Sequence, residues 1–308
     1  MSETLPPKTP RYIDHDGYLM PWAFPAENFA PALAYEPDKN DIFIATYPKC
    51  GTTMTQHMTY LLLNNGIPFL PHERQNELFP HLEEVGADYV KNHAVIRQHR
   101  RLIKTHLPYE MTPKLPSTST SAKYIFIARN PKDCVVSFFH HTRGFPTCYF
   151  YENGDFDDYF ELFIEGKVDF GSYFHCLRSW LDRKDDDNVL FLTYENMKKD
   201  KEDTVRKMAK FLDDGFDSDN ETPTLEAQLL ANHGELMKNI IHHSSLEDMK
   251  KDPLRWCSER KVEHTPFIRS GKVGGWDELL TKEQGERLDQ LMRVYFTPEE
   301  LKFLGSKY

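Results

Sequence analysis

Short apolar runs alternate with amphipathic stretches along most of the chain. Apolar runs of strand length occupy four places: 41–45 (DIFIA), 101–104 (RLIK), 123–128 (KYIFIA) and 189–192 (VLFL). Apolar residues at helical spacing predict three helices: 52–64, 131–141 and 201–212. Strands that alternate with helices in this way are typical of a parallel sheet buried on both faces. The pattern therefore predicts an α/β fold in which helices flank a central parallel sheet.

No long linker and no repeat of solenoid type interrupts this alternation. We therefore expect one domain over residues 1–308, with a motif-bearing core at 41–280. Residues 1–38 are rich in proline and aromatic residues, and they are predicted to form an irregular cover over that core.

Charge and composition exclude several classes of function. The formal net charge of −10 disfavours broad nucleic-acid binding, although it is compatible with a local cationic pocket. No apolar run reaches the roughly 20 residues of a membrane helix, and the N-terminal stretch lacks the apolar segment of a secretory signal. The 5 cysteines are scattered, as expected for reduced thiols. We expect a cytoplasmic protein without a membrane or nucleic-acid partner.

Two segments have the same order of sequence features. FIATYPKCGTT (43–53) and FIARNPKDCVV (126–136) each place a Pro-Lys turn between an apolar strand and a helix. The first turn of a helix presents backbone N–H groups and the positive end of the helix dipole, which attract anions. Two such loops side by side predict a ligand with two anionic groups.

The first of these loops has the composition of a phosphate site. Lys49 offers an ammonium group, and Gly51 allows the backbone to approach an oxyanion closely. Thr52 and Thr53 add hydroxyl donors. The order of residues differs from the P-loop pattern G-x-x-x-x-G-K-[ST], because the lysine precedes the single glycine. Taken alone, the loop is also compatible with an ordinary strand–turn–helix connection.

Six segments, in the same order, resemble motifs of the cytosolic sulfotransferases that use 3′-phosphoadenosine 5′-phosphosulfate (PAPS). YPKCGTT (47–53) is similar to their YPKSGTT phosphosulfate loop, and KTHLP (104–108) to their catalytic strand end. RNPKDCVVSFFHH (129–141) resembles their 3′-phosphate segment, and FLTYENMKKD (191–200) their FLFYEDMK-like strand. IIHHSSLEDMKKDP (240–253) is similar to HTSFxxMxxNP, and PFIRSGKVGGW (266–276) to FMRKGxxGDW. The resemblance implies a P-loop-like sulfotransferase fold and transfer of a sulfuryl group to a small acceptor.

The resemblance also implies which residues bind the donor PAPS and its product 3′-phosphoadenosine 5′-phosphate (PAP). Lys49 would neutralise the bridge between phosphate and sulfate as the S–O bond breaks. Arg129 and Ser137 would bind the 3′-phosphate, because a guanidinium group forms a planar fork that suits phosphate. The full set of implied donor-binding residues is Lys49, Cys50, Gly51, Thr52, Thr53, Met54, Arg129, Ser137, Tyr194, Ser244, Ser245, Leu246, Met249, Phe267, Ile268, Arg269, Ser270 and Gly271.

His106 is the candidate general base. It lies two residues beyond Lys104 at a strand end, where α/β folds present ligand groups. An attacking hydroxyl group must lose a proton, and histidine suits this task near neutral pH. Alternation along the strand places Lys104 on the same face, where it would stabilise the transferring group. The predicted catalytic residues are therefore Lys49, Lys104 and His106, and the resemblance implies that no metal ion takes part.

The acceptor pocket is expected to be aromatic, because small phenols and alcohols need apolar walls with few polar groups. Aromatic side chains near the motifs supply the candidates, although such residues are more often part of the core. They are Phe24, Phe79, Phe138, Phe139, His141, Phe145 and Tyr149. The expected acceptor is a phenol, catecholamine, steroid or other alcohol, or an amine.

The sequence departs from the family pattern at several places. Met54 stands where relatives carry a tryptophan against adenine, and Leu246 replaces the opposing phenylalanine. Ser270 replaces a lysine in the last phosphate segment, and Gly275 an aspartate. A homodimer is possible, but the usual motif K-x-x-x-T-V-x-x-x-E is degraded in DELLTKEQGE (277–286).

Three other functions remain open on the sequence. A P-loop-like nucleotide kinase would require Mg²⁺ and ATP. A non-catalytic PAP-binding module is compatible with the changes at Met54, Leu246 and Ser270. A dehydratase that uses sulfonation as an intermediate step would share the same donor site. The sequence does not identify the acceptor.

Overall fold

The computed structural model describes residues 8–92, 100–114, 122–213, 223–257 and 265–305. The strands in these ranges are β1 (Tyr12–His15), β2 (Tyr18–Pro21), β3 (Asp41–Thr46), β4 (Arg101–Thr105), β5 (Lys123–Ala128) and β6 (Val189–Thr193). The helices are α1 (Ala26–Leu33), α2 (Thr52–Leu63), α3 (Gln75–Leu78), α4 (Leu82–Lys91), α5 (Pro131–Arg143), α6 (Pro146–Tyr149), α7 (Phe156–Ile164), α8 (Tyr173–Leu181), α9 (Tyr194–Lys199), α10 (Lys201–Leu212), α11 (Leu225–Leu230), α12 (Glu235–His243), α13 (Leu246–Met249), α14 (Lys282–Tyr295) and α15 (Pro298–Phe303). Short 3₁₀ turns occupy Asn232–Gly234, Pro253–Arg255 and Gly275–Glu278.

Four strands form the central sheet in the order β4-β3-β5-β6, and each neighbouring pair is parallel. Ile42 in β3 pairs with Leu102 on one side and with Lys123 on the other. Every residue of β3 and of β5 is buried, as expected for inner strands covered on both faces. The predicted α/β fold with a central parallel sheet is confirmed.

Alternate residues of the inner strands face two separate apolar layers, because successive side chains of a strand point to opposite faces. Phe43 and Phe126 belong to the cluster that contains the buried faces of α5, α7, α8 and α14. Ile44 and Ile127 belong to the cluster that contains those of α2, α10 and α12. The two layers therefore cover opposite faces of the inner strands.

The N-terminal cover is more regular than predicted. Strands β1 and β2 form an antiparallel hairpin whose turn is Asp16-Gly17, with φ angles of 53° and 91°. An Asp-Gly pair favours this tight turn, because both residues tolerate a positive φ. Helix α1 follows the hairpin. Regular structure at 12–33 thus replaces the irregular conformation expected for 1–38, whereas residues 1–7 lie outside the described part of the chain.

In the ranges that the structure describes, no helix combines the length and the apolar character needed to cross a bilayer.

The order of the strands places a crevice above β3. The chain runs from β3 to β4 on one side and then crosses to β5 on the other. In open α/β sheets, ligands bind outside the carboxyl ends of the strands where the chain reverses direction in this way. The loops that follow β3, β4 and β5 meet at this point.

Candidate active site

A cavity of about 480 Å³ lies at the carboxyl ends of the sheet strands. Most of the predicted donor-binding residues line it: Lys49, Gly51, Thr52, Thr53, Met54, Arg129, Ser137, Tyr194, Leu246, Met249, Phe267, Ile268, Arg269, Ser270 and Gly271. The predicted catalytic residues Lys104 and His106 also line it. So do five of the acceptor candidates: Phe24, Phe138, His141, Phe145 and Tyr149. The structure therefore brings most of the predicted donor and acceptor residues into one cavity.

Three predicted donor residues lie away from the cavity lining. Cys50 is buried, and its Sγ lies 3.8 Å from Sγ of Cys134. Ser244 is also buried and donates a hydrogen bond of 2.6 Å to the carbonyl oxygen of Ile240. Ser245 caps α13 by accepting from its backbone N–H at Asp248. These side chains stabilise the loops and helix ends around the site and do not face the cavity.

Two acceptor candidates belong to the core instead. Phe79 is fully buried in the layer on the α2 side of the sheet. Phe139 packs against Phe156 and Tyr159, with ring centroids 5.2 and 5.6 Å away. Phe138, its neighbour on α5, lines the cavity, because adjacent helical residues point in different directions. The prediction is therefore wrong for Phe79 and Phe139 as lining residues.

Two left-handed residues shape the loop after β3. Lys49 has a φ of 67° and Gly51 a φ of 110°. A Cβ atom at Gly51 would lie 2.8 Å from Cδ2 of Tyr194, so a side chain there would force the two elements apart. The N-cap of α2 is Gly51, which has no side chain to accept from the first-turn N–H groups, so these groups can bind an anion that enters the cavity. The loop and the N-terminus of α2 together fit the phosphosulfate end of PAPS.

The ammonium group of Lys49 lies between the donor and acceptor ends. Its Nζ is 3.3 Å from Nδ1 of His141 and 4.4 Å from the ring centroid of Phe267. His141 in turn packs against Phe145, with ring centroids 4.7 Å apart. Lys49 thus contacts one predicted acceptor residue, His141, and one predicted donor residue, Phe267.

The loop after β5 has the same Pro-Lys turn before a helix as the loop after β3. In this loop, however, a side chain caps the N-terminus of the helix. The side chain of Asn130 accepts from the backbone N–H of Lys132 at 2.9 Å. Nζ of Lys132 lies 2.8 Å from Oδ2 of Asp289, away from the cavity lining. The expectation of an open helix end is therefore only partly met at α5. This loop offers the side chains of Arg129 and Ser137 to the cavity instead.

Arg129 links the two loops. Its Nη1 donates to the carbonyl oxygen of Lys49 at 2.9 Å, and its Nη2 donates to that of Lys272 at 3.2 Å. The guanidinium group lies over the ring of Tyr194, 4.5 Å from the centroid. Its Nε is buried and has no hydrogen-bond partner among the described residues. A phosphate group would supply the missing acceptor, so this position fits the predicted 3′-phosphate.

The predicted nucleotide slot has aliphatic walls, as the sequence indicates. Met54 and Leu246 both line the cavity, and a Cβ atom at Gly271 would lie 3.1 Å from Cδ1 of Leu246. The structure adds Trp256, which the sequence analysis missed. Its Nε1 donates to the carbonyl oxygen of Met249 at 2.6 Å, so an indole ring is fixed beside the slot.

The hydrogen bonds of His106 define its protonation. Nδ1 lies 2.8 Å from the carbonyl oxygen of Thr46 at the end of β3. A carbonyl oxygen only accepts hydrogen bonds, so Nδ1 carries the proton and Nε2 of the neutral ring keeps its lone pair. Burial and the positive charge of Lys104 hold the pKa of His106 well below its ordinary value of 6.5. The ring is therefore a neutral base at neutral pH.

The sequence analysis also missed residues that surround the base. The rings of His81 and Phe170 each lie 4.9 Å from that of His106. Oε1 of the buried Glu83 accepts from the backbone N–H of His106 at 2.7 Å. No local signal identifies His81 or Phe170, because only the fold brings them to the strand end. Asp169 does carry a signal, since it is a lone acid between Val168 and Phe170, and it too lines the cavity.

The charge of the cavity contrasts with that of the whole chain. Among the described residues, the basic side chains in the lining are Lys49, Lys104, Arg129, Lys198, Arg269 and Lys272. The acidic ones are Glu84, Asp133 and Asp169. Basic side chains therefore outnumber acidic ones in the lining, although the chain has a net charge of −10.

Arg269 lines the cavity but is already paired. Its guanidinium group forms an ion pair with Glu278, which also lies 3.3 Å from Nε2 of His140. A phosphate that binds Arg269 would have to compete with this carboxylate.

A group of potential metal ligands lies elsewhere. His242, His243 and Asp248 bring ligand atoms within 4.8 Å of one another, and none of the three lines the cavity. Asp248 also pairs with Nζ of Lys251 at 2.8 Å. The expectation of a reaction without a metal ion stays a prediction.

Comparison with known proteins agrees with the geometry. A family model described as "Sulfotransferase domain" matches residues 39–305. Sulfotransferase 1B1 of Mus musculus is 30% identical over 301 residues, which cover 93% of this chain and 92% of that protein. The amine sulfotransferase of Oryctolagus cuniculus is 30% identical over 280 residues, which cover 88% and 85%.

Solved structures show the same fold. Mouse sulfotransferase SULT7A1, complexed with PAP, superposes with a TM-score of 0.68 at 25% identity over 94% of this chain and 95% of that one. Retinol dehydratase in complex with androsterone and PAP has a TM-score of 0.72 at 21% identity, covering 97% and 92%, and supports the fold alone. The predictions of fold and of a PAPS-dependent sulfotransferase enzyme are confirmed, and the chain belongs to the sulfotransferase family.

Proposed function

We propose that this protein transfers the sulfuryl group of PAPS to a hydroxyl or amine group of a small acceptor, such as a phenol, catecholamine, steroid or other alcohol. The observation that carries the proposal is the placement of Lys49, Lys104 and His106 in one cavity beside the uncapped end of α2. The PAP complex of the mouse relative supports the choice of donor.

The donor half of the cavity supplies positive charge and backbone donors. PAPS provides an activated sulfuryl group with a phosphate as its leaving group. The N–H groups at 51–53 hold that phosphate, and Lys49 stabilises the negative charge that develops on it. Arg129 Nε and Ser137 bind the 3′-phosphate. These contacts hold the donor so that its sulfur faces the acceptor end.

The acceptor end supplies the base. Nε2 of His106 accepts the proton of the attacking hydroxyl group, because Nδ1 is held by the carbonyl oxygen of Thr46. The nearby carboxylate of Glu83 favours the imidazolium ion that forms. Lys104 lies on the same strand end and stabilises the transferring group. Burial lowers the pKa of Lys104, while Glu84 and Glu83 oppose this effect.

The surroundings suit a small apolar acceptor in a reducing compartment. Phe24, Phe138, Phe145 and Phe170 give the acceptor end aromatic walls. All five cysteines are free thiols, as expected for the cytoplasmic location that we propose.

The test is to incubate the protein with PAPS and a panel of phenols, catecholamines, steroids and retinoids, and to identify the products by mass. A sulfated product supports the proposed transfer. A product that has lost water supports the dehydratase reaction. Binding of PAP without any product supports the non-catalytic module, and turnover of ATP with Mg²⁺ supports the kinase.

A further inference from the structure

The acceptor end of the cavity contains a buried acid that the proposed reaction does not use. Asp169 lines the cavity, and its side chain is 0% exposed to solvent. It lies in the turn between α7 and α8, directly before Phe170, whose ring contacts the base His106. Asp169 therefore belongs to the wall at the acceptor end of the cavity.

One oxygen of this carboxyl group has a partner and the other does not. Oη of Tyr149 donates to Oδ2 of Asp169 at 2.7 Å. Oδ1 is buried and has no hydrogen-bond partner among the described residues. The interactions that favour its charged form come from Tyr149 and from its own backbone N–H, and neither is a cation.

A buried carboxylate without a countercharge is costly, so it is either protonated or paired with a cation. Burial raises the pKa of Asp169 to about 7, against the lowering effect of the Tyr149 hydrogen bond. In the absence of a ligand, a proton on the carboxyl group relieves the cost of burying its charge. A cation on a bound acceptor would replace that proton and give Oδ1 the donor that it lacks.

We propose that Asp169 selects acceptors that carry a protonated amine in addition to the reacting hydroxyl group. The ammonium N–H donates to Oδ1 while Tyr149 holds Oδ2. The aromatic walls hold the apolar part of the acceptor, and its hydroxyl group faces His106. This inference rests on the proposed function, because it assigns the acceptor of that same reaction.

We expect the pH dependence of this selectivity to come from the ionisation of Asp169. The titratable groups that interact with its charge are tyrosines from five places in the fold: Tyr12, Tyr18, Tyr47, Tyr149 and Tyr159. Burial raises the pKa of each of them well above 10, so none of them ionises between pH 6 and 8. Only the ionised carboxylate attracts an ammonium group, so amine preference should rise with pH through this range.

The experiment uses matched pairs of phenols with the full-length protein and PAPS. The amine members are 4-hydroxybenzylamine, tyramine and 4-(3-aminopropyl)phenol. Their neutral partners are 4-ethylphenol, 4-propylphenol and 4-butylphenol, which replace the ammonium group by a methyl group. The readout is the ratio of kcat/KM for the amine to that for its neutral partner, in which the pH dependence of His106 cancels.

We expect the best amine ratio to rise about 10-fold from pH 6 to pH 8 in the wild-type protein, as the carboxyl group loses its proton. Asp169→Asn keeps the shape but not the charge, and it should lower the ratio at pH 8 by about 10- to 100-fold and abolish its pH dependence. Tyr149→Phe removes the donor to Oδ2 and should move the midpoint of the rise to higher pH. A ratio that is independent of pH, or unchanged in Asp169→Asn, would overturn the proposal.

Calorimetry separates this proposal from the proposed function. The same pairs are titrated into the protein saturated with PAP, so selectivity is measured without turnover. If no phenol is sulfated but the amine still binds more tightly than its neutral partner through Asp169, the proposed function fails and the assignment of Asp169 stands. If neutral phenols are sulfated while amines gain nothing from Asp169, the assignment fails and the proposed function stands.

Discussion

The loops after β3 and β5 have the same sequence plan and different structures. In the first, residues 47–51 form a separate turn before α2 begins at Thr52, and Lys49 faces the cavity. In the second, α5 begins directly at Pro131, and Lys132 is already helical and pairs with Asp289. The position that matches Gly51 is Cys134, and only glycine readily adopts a φ of 110°. Gly51 thus allows the first loop a positive φ angle that Cys134 would not readily adopt in the second.

The two loops also contribute different groups to the cavity. The first loop offers backbone N–H groups and Lys49, and its strand end holds His106, the proposed base, through the carbonyl oxygen of Thr46. The second loop offers the side chains of Arg129 and Ser137. We therefore expect changes near the first loop to affect the rate of transfer and changes in the second to affect binding or stability.

The largest expected effect is that of His106→Ala. Loss of the base should lower kcat by about 10²- to 10⁴-fold, because the attacking hydroxyl group would keep its proton. PAP affinity, measured by calorimetry, should change little. His175→Ala is a suitable control, since His175 is 62% exposed and pairs with Glu110 outside the cavity lining. Near-normal turnover of His106→Ala would remove His106 from the mechanism.

The next effect compares the two lysines directly. Lys49→Ala should lower kcat by about 10²- to 10³-fold, because it removes charge stabilisation from the leaving group. Lys132→Ala, the same change at the matching position of the second loop, should alter kcat by less than about threefold, since its ion pair with Asp289 is structural. Equal losses in steady-state rate for both variants would show that the two loops do not differ in the way proposed.

A smaller effect is expected at the nucleotide slot. Met54→Trp should tighten PAP binding by up to about 10-fold, because stacking of an aromatic ring on a base contributes about 1–3 kcal/mol by alanine substitution and Met54 already supplies part of the contact. Calorimetry with PAP on the two proteins measures the difference. Unchanged or weaker affinity would mean that Leu246 and Trp256 shape the slot around a methionine.

The smallest effect concerns the closed end of α5. Asn130→Ala removes the cap that accepts from Lys132 and should lower the free energy of unfolding by about 1 kcal/mol, as measured by denaturant titration. Asn130→Ser keeps a capping oxygen and should restore most of the loss. A large loss of PAP affinity in the alanine variant with unchanged stability would indicate that Asn130 contacts the ligand.

The parts predicted correctly from the sequence are those with a local physical signal. Apolar runs of strand length and helical spacing predict the inner strands and helices α2, α5 and α10 to within two residues. Lys49, Gly51, Thr52 and Thr53 of the first loop line the cavity together because they are neighbours in the sequence. The Asp16-Gly17 turn also carried a local signal, but the hairpin that it forms was missed.

The parts that were missed or wrong depend on tertiary contacts. Phe138 and Phe139 are adjacent and similar, and only the packing of α5 decides that the first lines the cavity and the second the core. His81 and Phe170 contact His106 from distant parts of the chain, so the periodicity of apolar residues in the sequence does not predict these contacts. Asp289 binds the ammonium group of Lys132 and so keeps it out of the cavity lining. The two residues are 157 positions apart, so the local sequence pattern does not predict this pair.

The central claim is that the first loop, with Lys49, supplies the charge for sulfuryl transfer. The most direct test is a single-turnover reaction of the wild-type protein with PAPS and 4-propylphenol, run once in excess EDTA and once in Mg²⁺, with the sulfated phenol measured by mass spectrometry. The account predicts equal rates in the two buffers for the wild-type protein and loss of the product in both for Lys49→Ala. Loss of turnover in EDTA that added Mg²⁺ restores, or normal turnover by Lys49→Ala, would contradict it.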